Sequence, residues 1–293
     1  MTGAFSGSIT AMITPFKDGK VNLDALGKLI EFQIEGGTDA LVILGTTGEP
    51  STMTDSEKEE VIRYSIKKAA KKIKIIVGCG SNDTAKAVAA AERAEKLGAD
   101  GVLAVTPYYN KCTQRGIFEY YRAICNAVHL PVIAYNVPSR TGVNITPETA
   151  EKLTVLKNLA GIKEASGNMA QVCETMRRVR GKIDIFSGED ALNLPILAVG
   201  GAGVISVASN VAPKQVKEVY TLVKTGKFKE ANRLQDALLP LIDALFCEVN
   251  PIPVKEACNM LGFEAGIPRP PLTELEEEHK AKLIVELRKV VEI

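Results

Sequence analysis

Short β-branched runs recur along this chain with amphipathic stretches between them, and that alternation restricts the fold more than any other feature. Strands are expected at SITAMITPF, ALVILG, IKIIVGCG, GVLAVTP, PVIAYNVP, LAGIKEAS, KIDIFSGED and AGVISVAS, eight in all. Several are almost continuously apolar, as parallel strands covered by helices should be. The segments between them carry helix signals. Thr54 with Glu57 three residues on is a capping box. The run NDTAKAVAAAERAEKLGAD stops at Gly98, and Pro147 follows a Thr146 cap. Eight such strand–helix units in about 210 residues predict a closed (β/α)8 barrel of the TIM type. An open doubly wound sheet is disfavoured, because no G-x-G-x-x-G follows the first strand. Helical sequence runs on from about residue 213, beyond what the last helix of a barrel needs. The expected division is a catalytic barrel over residues 1–225 and a C-terminal helical domain over residues 226–293.

Composition excludes several function classes. The formal net charge is +1 over 293 residues, with no basic or acidic block, which argues against nucleic-acid and polybasic membrane partners. No apolar run approaches the ~20 residues needed to cross a bilayer. MTGAFSGSIT does not read as a signal peptide, so a cytoplasmic protein is expected. The six cysteines form no Cys-x-x-Cys pair and there are two histidines, so no metal site is expected and the thiols should be reduced.

Chemistry in such a barrel gathers at the carboxyl ends of the strands. The segments expected there are GTTGEP, TPYYN, AYNVPSRTG, the end of LAGIKEAS, SGED and GVISVAS. Lys163 stands out, because it lies within an otherwise apolar strand. Alternation puts Lys163 on one face with Gly161 and Ala165, and Tyr135 on one face with Ile133. If both faces turn inward, phenol and amine lie side by side. A buried amine loses its proton more easily than usual and can attack a ketone, forming a Schiff base with no metal or cofactor. Taken singly each feature has a plainer reading: strand lysines are usually ion-paired, GTTGEP could be a capped turn, and Arg140 a surface charge. Coincidence at one rim favours the chemical reading.

With these motifs together, the chain resembles the dihydrodipicolinate synthase family, nearly end to end from GSITAMITPF to NPIPVKEACNMLG. G-T-T-G-E, Y-N-x-P and the strand lysine are shared with the wider pyruvate aldolases, including N-acetylneuraminate lyase. NVPSRTG is narrower. The resemblance implies that Lys163 forms a Schiff base with pyruvate and that Tyr135 shuttles protons. It implies that Thr47 links Tyr135 to Tyr109, the latter supplied by a neighbouring subunit. Thr46 binds the pyruvate carboxylate, Arg140 holds the carboxylate of aspartate semialdehyde, and Gly188 and Ile205 line the pocket. A homotetramer of two tight dimers is implied. Many members are inhibited by lysine at the dimer interface, where Ser51, Asn82 and Tyr108 match lining positions. Asp55 and Lys58 stand where lysine-sensitive members often carry histidines, and Lys86 where a glutamate would meet the ligand's ammonium. Cation against cation is repulsive, so weak or absent feedback is expected. Two rivals stay open: another aldolase, cleaving sialic acid or a 2-keto-3-deoxy sugar acid, and a non-catalytic keto-acid sensor.

Overall fold

The computed structural model describes residues 2–291. Met1, Glu292 and Ile293, the outer ends of the two expected domains, lie outside the described residues. The barrel strands are β1 Gly7–Ala11, β2 Ala40–Ile43, β3 Lys74–Gly78, β4 Gly101–Val105, β5 Val132–Asn136, β6 Leu159–Glu164, β7 Asp184–Ser187 and β8 Gly203–Ser206. They hydrogen-bond in the cyclic order β1-β8-β7-β6-β5-β4-β3-β2, which closes a barrel of the expected class. All residues of β5 and β6 are buried, which is why their sequences run apolar rather than alternating.

The helix signals act as expected. Thr54 and Glu57 cap the helix Asp55–Ala69 reciprocally. Gly98 ends the helix Thr84–Leu97 at φ 91°, a left-handed conformation that costs glycine little. Thr146 accepts from the Thr149 N–H, with Pro147 opening the helix Pro147–Leu153. One expectation needs correction. The first strand was to run through Phe16, but it ends at Ala11, and Phe16–Lys17 pairs antiparallel with Lys20–Val21. The sequence holds the cause: Asp18 and Gly19 take φ 52° and 75°, the Asp-Gly turn that suits a two-residue hairpin.

Backbone proximity groups the chain into two units, Met1–Gly7 with Ile76–Ile205, and Ser8–Ile75 with Ser206–Ile293. In the first, Tyr121 of the helix Gln114–Ala127 is fully buried behind β4 and β5. Its hydroxyl donates to the Ala104 carbonyl at 2.9 Å and accepts from the Tyr135 N–H at 3.3 Å, which fixes the strand that carries Tyr135. In the second, β1 and β2 pair in parallel register, with Ile9 opposite Ala40. The helices Pro213–Lys224, Phe228–Leu245, Ile252–Met260 and Glu277–Val290 follow β8. No helix among the described residues is long and apolar enough to cross a membrane.

Candidate active site

Tyr135 and Lys163 are direct partners across β5 and β6, and Lys163 is opposite Phe186 on β7. The Lys163 Nζ lies 4.4 Å from the centroid of the Tyr135 ring. Only 5% of Lys163 is exposed, and among the described residues it makes no ion pair. Burial pulls its pKa from 10.5 to about 8; Asp190 attracts the charged form and Arg140 repels it. The same burial raises the Tyr135 phenol to about 12, while Arg140 draws it back down. The pair is thus an amine inclined to lose its proton beside a phenol inclined to keep its own.

The glycines near Lys163 serve two ends. A Cβ on Gly188 would stand 2.9 Å from Lys163 Cγ and 3.0 Å from its Cε, so this position leaves room for the lysine stem. Gly161 shares the lysine's face but is small for another reason: its Cβ would fall 2.5 Å from the Asp184 carbonyl oxygen. On the opposite face of β6, Glu164 is buried and receives the Asn136 amide at 3.0 Å and the Ser166 N–H at 2.7 Å. Asn136 also takes the Ile145 N–H at 2.9 Å, tying down both ends of the loop that carries Arg140. Arg140 sits on the short helix Pro138–Thr141 and is exposed.

Other expected residues are placed as follows. Ile205 is buried on β8. Tyr109 is 90% exposed on the loop after β4, at φ 69°. Tyr108 and Asn82 are half-buried, and Asn82 accepts the Asn110 amide through its carbonyl at 2.9 Å. Lys86 is exposed in the first turn of Thr84–Leu97. In the second unit, Thr46 and Thr47 form a turn directly after β2, with Thr46 exposed and Thr47 buried. Ser51 follows on the next turn, and Asp55 pairs with Lys58 at 3.5 Å. The geometry therefore joins Lys163, Tyr135 and Gly188 by contact, with Arg140 in electrostatic reach.

Three residues escaped the sequence reading. Asp190, buried after β7 and held by the Asn193 amide at 3.0 Å, acts on the Lys163 charge. Asn250 donates to Thr47 Oγ1 at 3.0 Å. Lys255, completely buried, meets Glu49 at 2.6 Å. The apolar neighbours of Lys255 in NPIPVKEACNMLG were the available signal; Asn250 and Asp190 gave none beyond their motifs.

The profile of the Dihydrodipicolinate synthetase family matches residues 4–290. The chain belongs to this family. Within it, a 4-hydroxy-tetrahydrodipicolinate synthase from Caldicellulosiruptor bescii is 52% identical over 277 residues, 94% of each chain. Among solved members of the family, dihydrodipicolinate synthase from Aquifex aeolicus superposes with a TM-score of 0.95 at 46% identity, covering 97% of this chain and 98% of its own. The chloride-inhibited enzyme of Acinetobacter baumannii, solved in complex with pyruvate, does so at 0.95 and 42% identity, with the same coverage.

Proposed function

We propose that this protein condenses pyruvate with L-aspartate 4-semialdehyde to give 4-hydroxy-tetrahydrodipicolinate, the entry to diaminopimelate and lysine synthesis. Its relatives carry that activity by name, and the Acinetobacter relative holds pyruvate. The observation that carries the reading is a buried, unpaired Lys163 against Tyr135. The neutral amine adds to the pyruvate ketone to give a carbinolamine, and a proton delivered by the relay lets its hydroxyl leave as water, which leaves an iminium. This withdraws electrons from the methyl group, whose proton departs to give an enamine. The enamine carbon attacks the semialdehyde carbon, forming the new C–C bond. The semialdehyde's own amine then displaces Lys163, closing the six-membered ring and freeing the enzyme.

Tyr135, Thr47 and Tyr109 serve as the proton relay, and Thr46 binds the pyruvate carboxylate. Arg140 receives the semialdehyde carboxylate, for which a guanidinium fork is well shaped. Gly188 and Ile205 line the pocket. The protein acts in the cytoplasm as a homotetramer of two dimers, with Tyr109 completing the relay of the neighbouring copy. A 90% exposed tyrosine supports that reading. Residues 1–225 form the catalytic domain and residues 226–293 its helical companion. Lysine feedback is weak or absent, because Lys86 repels the ligand's ammonium and Asp55 is engaged by Lys58.

The test is borohydride reduction with pyruvate, followed by intact mass and peptide mapping. The reading expects one pyruvyl adduct, on Lys163, and turnover of semialdehyde in preference to sialic acid. An unmodified Lys163 would refute it and favour a sensor.

A further inference from the structure

The turn carrying Thr46 and Thr47 is gripped at two points by one later segment. Asn250 Nδ2 donates to Thr47 Oγ1 at 3.0 Å in a buried setting. The helix Ile252–Met260 begins two residues on, and its Lys255 Nζ reaches Glu49 Oε1 at 2.6 Å. The other oxygen of Glu49 accepts the Arg269 N–H at 2.8 Å. Glu49 sits at φ 56°, a left-handed conformation that a residue with a side chain adopts only when its surroundings hold it there. A buried ion pair is weak evidence for stability, since desolvation cancels much of the attraction. What the pair supplies is geometry: it fixes the turn relative to Asn250.

The direction of the Asn250 bond then matters. A hydroxyl has one proton to donate and two lone pairs to accept with. The amide N–H occupies the accepting side of Thr47, which leaves the hydroxyl proton to point elsewhere. We propose that Asn250 is a positioning residue of the reaction, orienting the Thr47 hydroxyl as a donor into the proton relay, with the Glu49–Lys255 pair holding the turn in place for it. This rests on the relay role of Thr47 given above.

A double-mutant cycle on the full chain tests it. Borohydride trapping of pyruvate by the unaltered protein is measured first; its failure would sink the functional reading itself. Asn250→Asp keeps the shape but replaces the donor by an acceptor, which takes the Thr47 proton. It should lower kcat about tenfold while KM for pyruvate moves less than about twofold. In a Thr47→Val background the same change should alter kcat by less than about twofold, because the group it acts through is gone. Asn250→Ala, read in the same two backgrounds, covers the case in which the aspartate does not fold. Equal falls in both backgrounds mean that Asn250 only supports the fold, and overturn the inference; so does an unchanged kcat.

Discussion

Replacing Lys163 by methionine should make this protein more stable while abolishing its chemistry. Each pKa unit is worth about 1.4 kcal/mol. Holding the amine at about 8 instead of 10.5 therefore weakens the fold by about 3 kcal/mol wherever it is protonated in both folded and unfolded states. The Asp190 charge offsets part of the burial penalty, and that offset is already contained in the net shift. Desolvation is the larger effect, so Lys163→Met should stabilise the protein at pH 7 by roughly 1–3 kcal/mol, raising Tm by roughly 2–5 °C. The sign follows from proton counting. Between pH 8 and 10.5 the unfolded chain binds more protons at this site than the folded one, so stability rises with pH there.

Below that window the penalty is complete; above it, both states hold a neutral amine and the penalty is gone. The advantage of Lys163→Met should therefore be flat below pH 8, shrink through the window and vanish above it. Denaturant unfolding of both proteins from pH 7 upward measures this. Titration of other groups is common to both and cancels in the difference. A methionine variant less stable than its parent at pH 7, or a gap that ignores pH, would refute the claim that Lys163 is held uncomfortably.

Three further outcomes are expected. Gly188→Ala sets a methyl 2.9 Å from the Lys163 stem, an overpacking of about 1–3 kcal/mol, and should slow borohydride trapping about tenfold with the fold intact. Arg140→Ala should retain trapping but lose condensation by about 100-fold or more, since a charge-assisted pair with the semialdehyde is removed. Losing that guanidinium also raises the Lys163 pKa, so the acid limb of trapping should shift to higher pH. Millimolar lysine should inhibit turnover weakly or not at all in a steady-state assay; strong inhibition would refute the charge argument at Lys86.

The barrel was legible because its strands are apolar on both faces and its caps are local: Thr54 needs only Glu57, and Gly98 only its missing side chain. Lys163 was legible because a charge within such a strand contradicts its surroundings. The hairpin after Ala11 was missed although Asp18-Gly19 announces it, because the apolar run through Phe16 reads as one strand. Asn250 and Asp190 were beyond reach for a different reason. Asn250 meets Thr47 across some 200 residues of sequence, and Asp190 bears on Lys163 through its charge, from a separate strand end; neither relation is local in sequence.

Among the described residues two lysines are buried, and burial is the first cause lowering the pKa of both. That shared property does not make both nucleophiles. Lys255 Nζ is 2.6 Å from Glu49, also donates to the Ile267 carbonyl at 3.3 Å, and lies 4.0 Å from the Phe16 ring centroid. Removing its proton would take from the buried Glu49 carboxylate the opposite charge 2.6 Å away, so the pair resists the neutral state that attack on a carbonyl requires. Lys163 faces an aromatic ring and a position without a side chain, so its proton can leave without orphaning a bonded carboxylate. What surrounds the nitrogen, not the depth of its burial, selects the nucleophile. Pyruvate with borohydride should accordingly label Lys163 alone, and the Lys163→Met protein, with Lys255 intact, should take up no label.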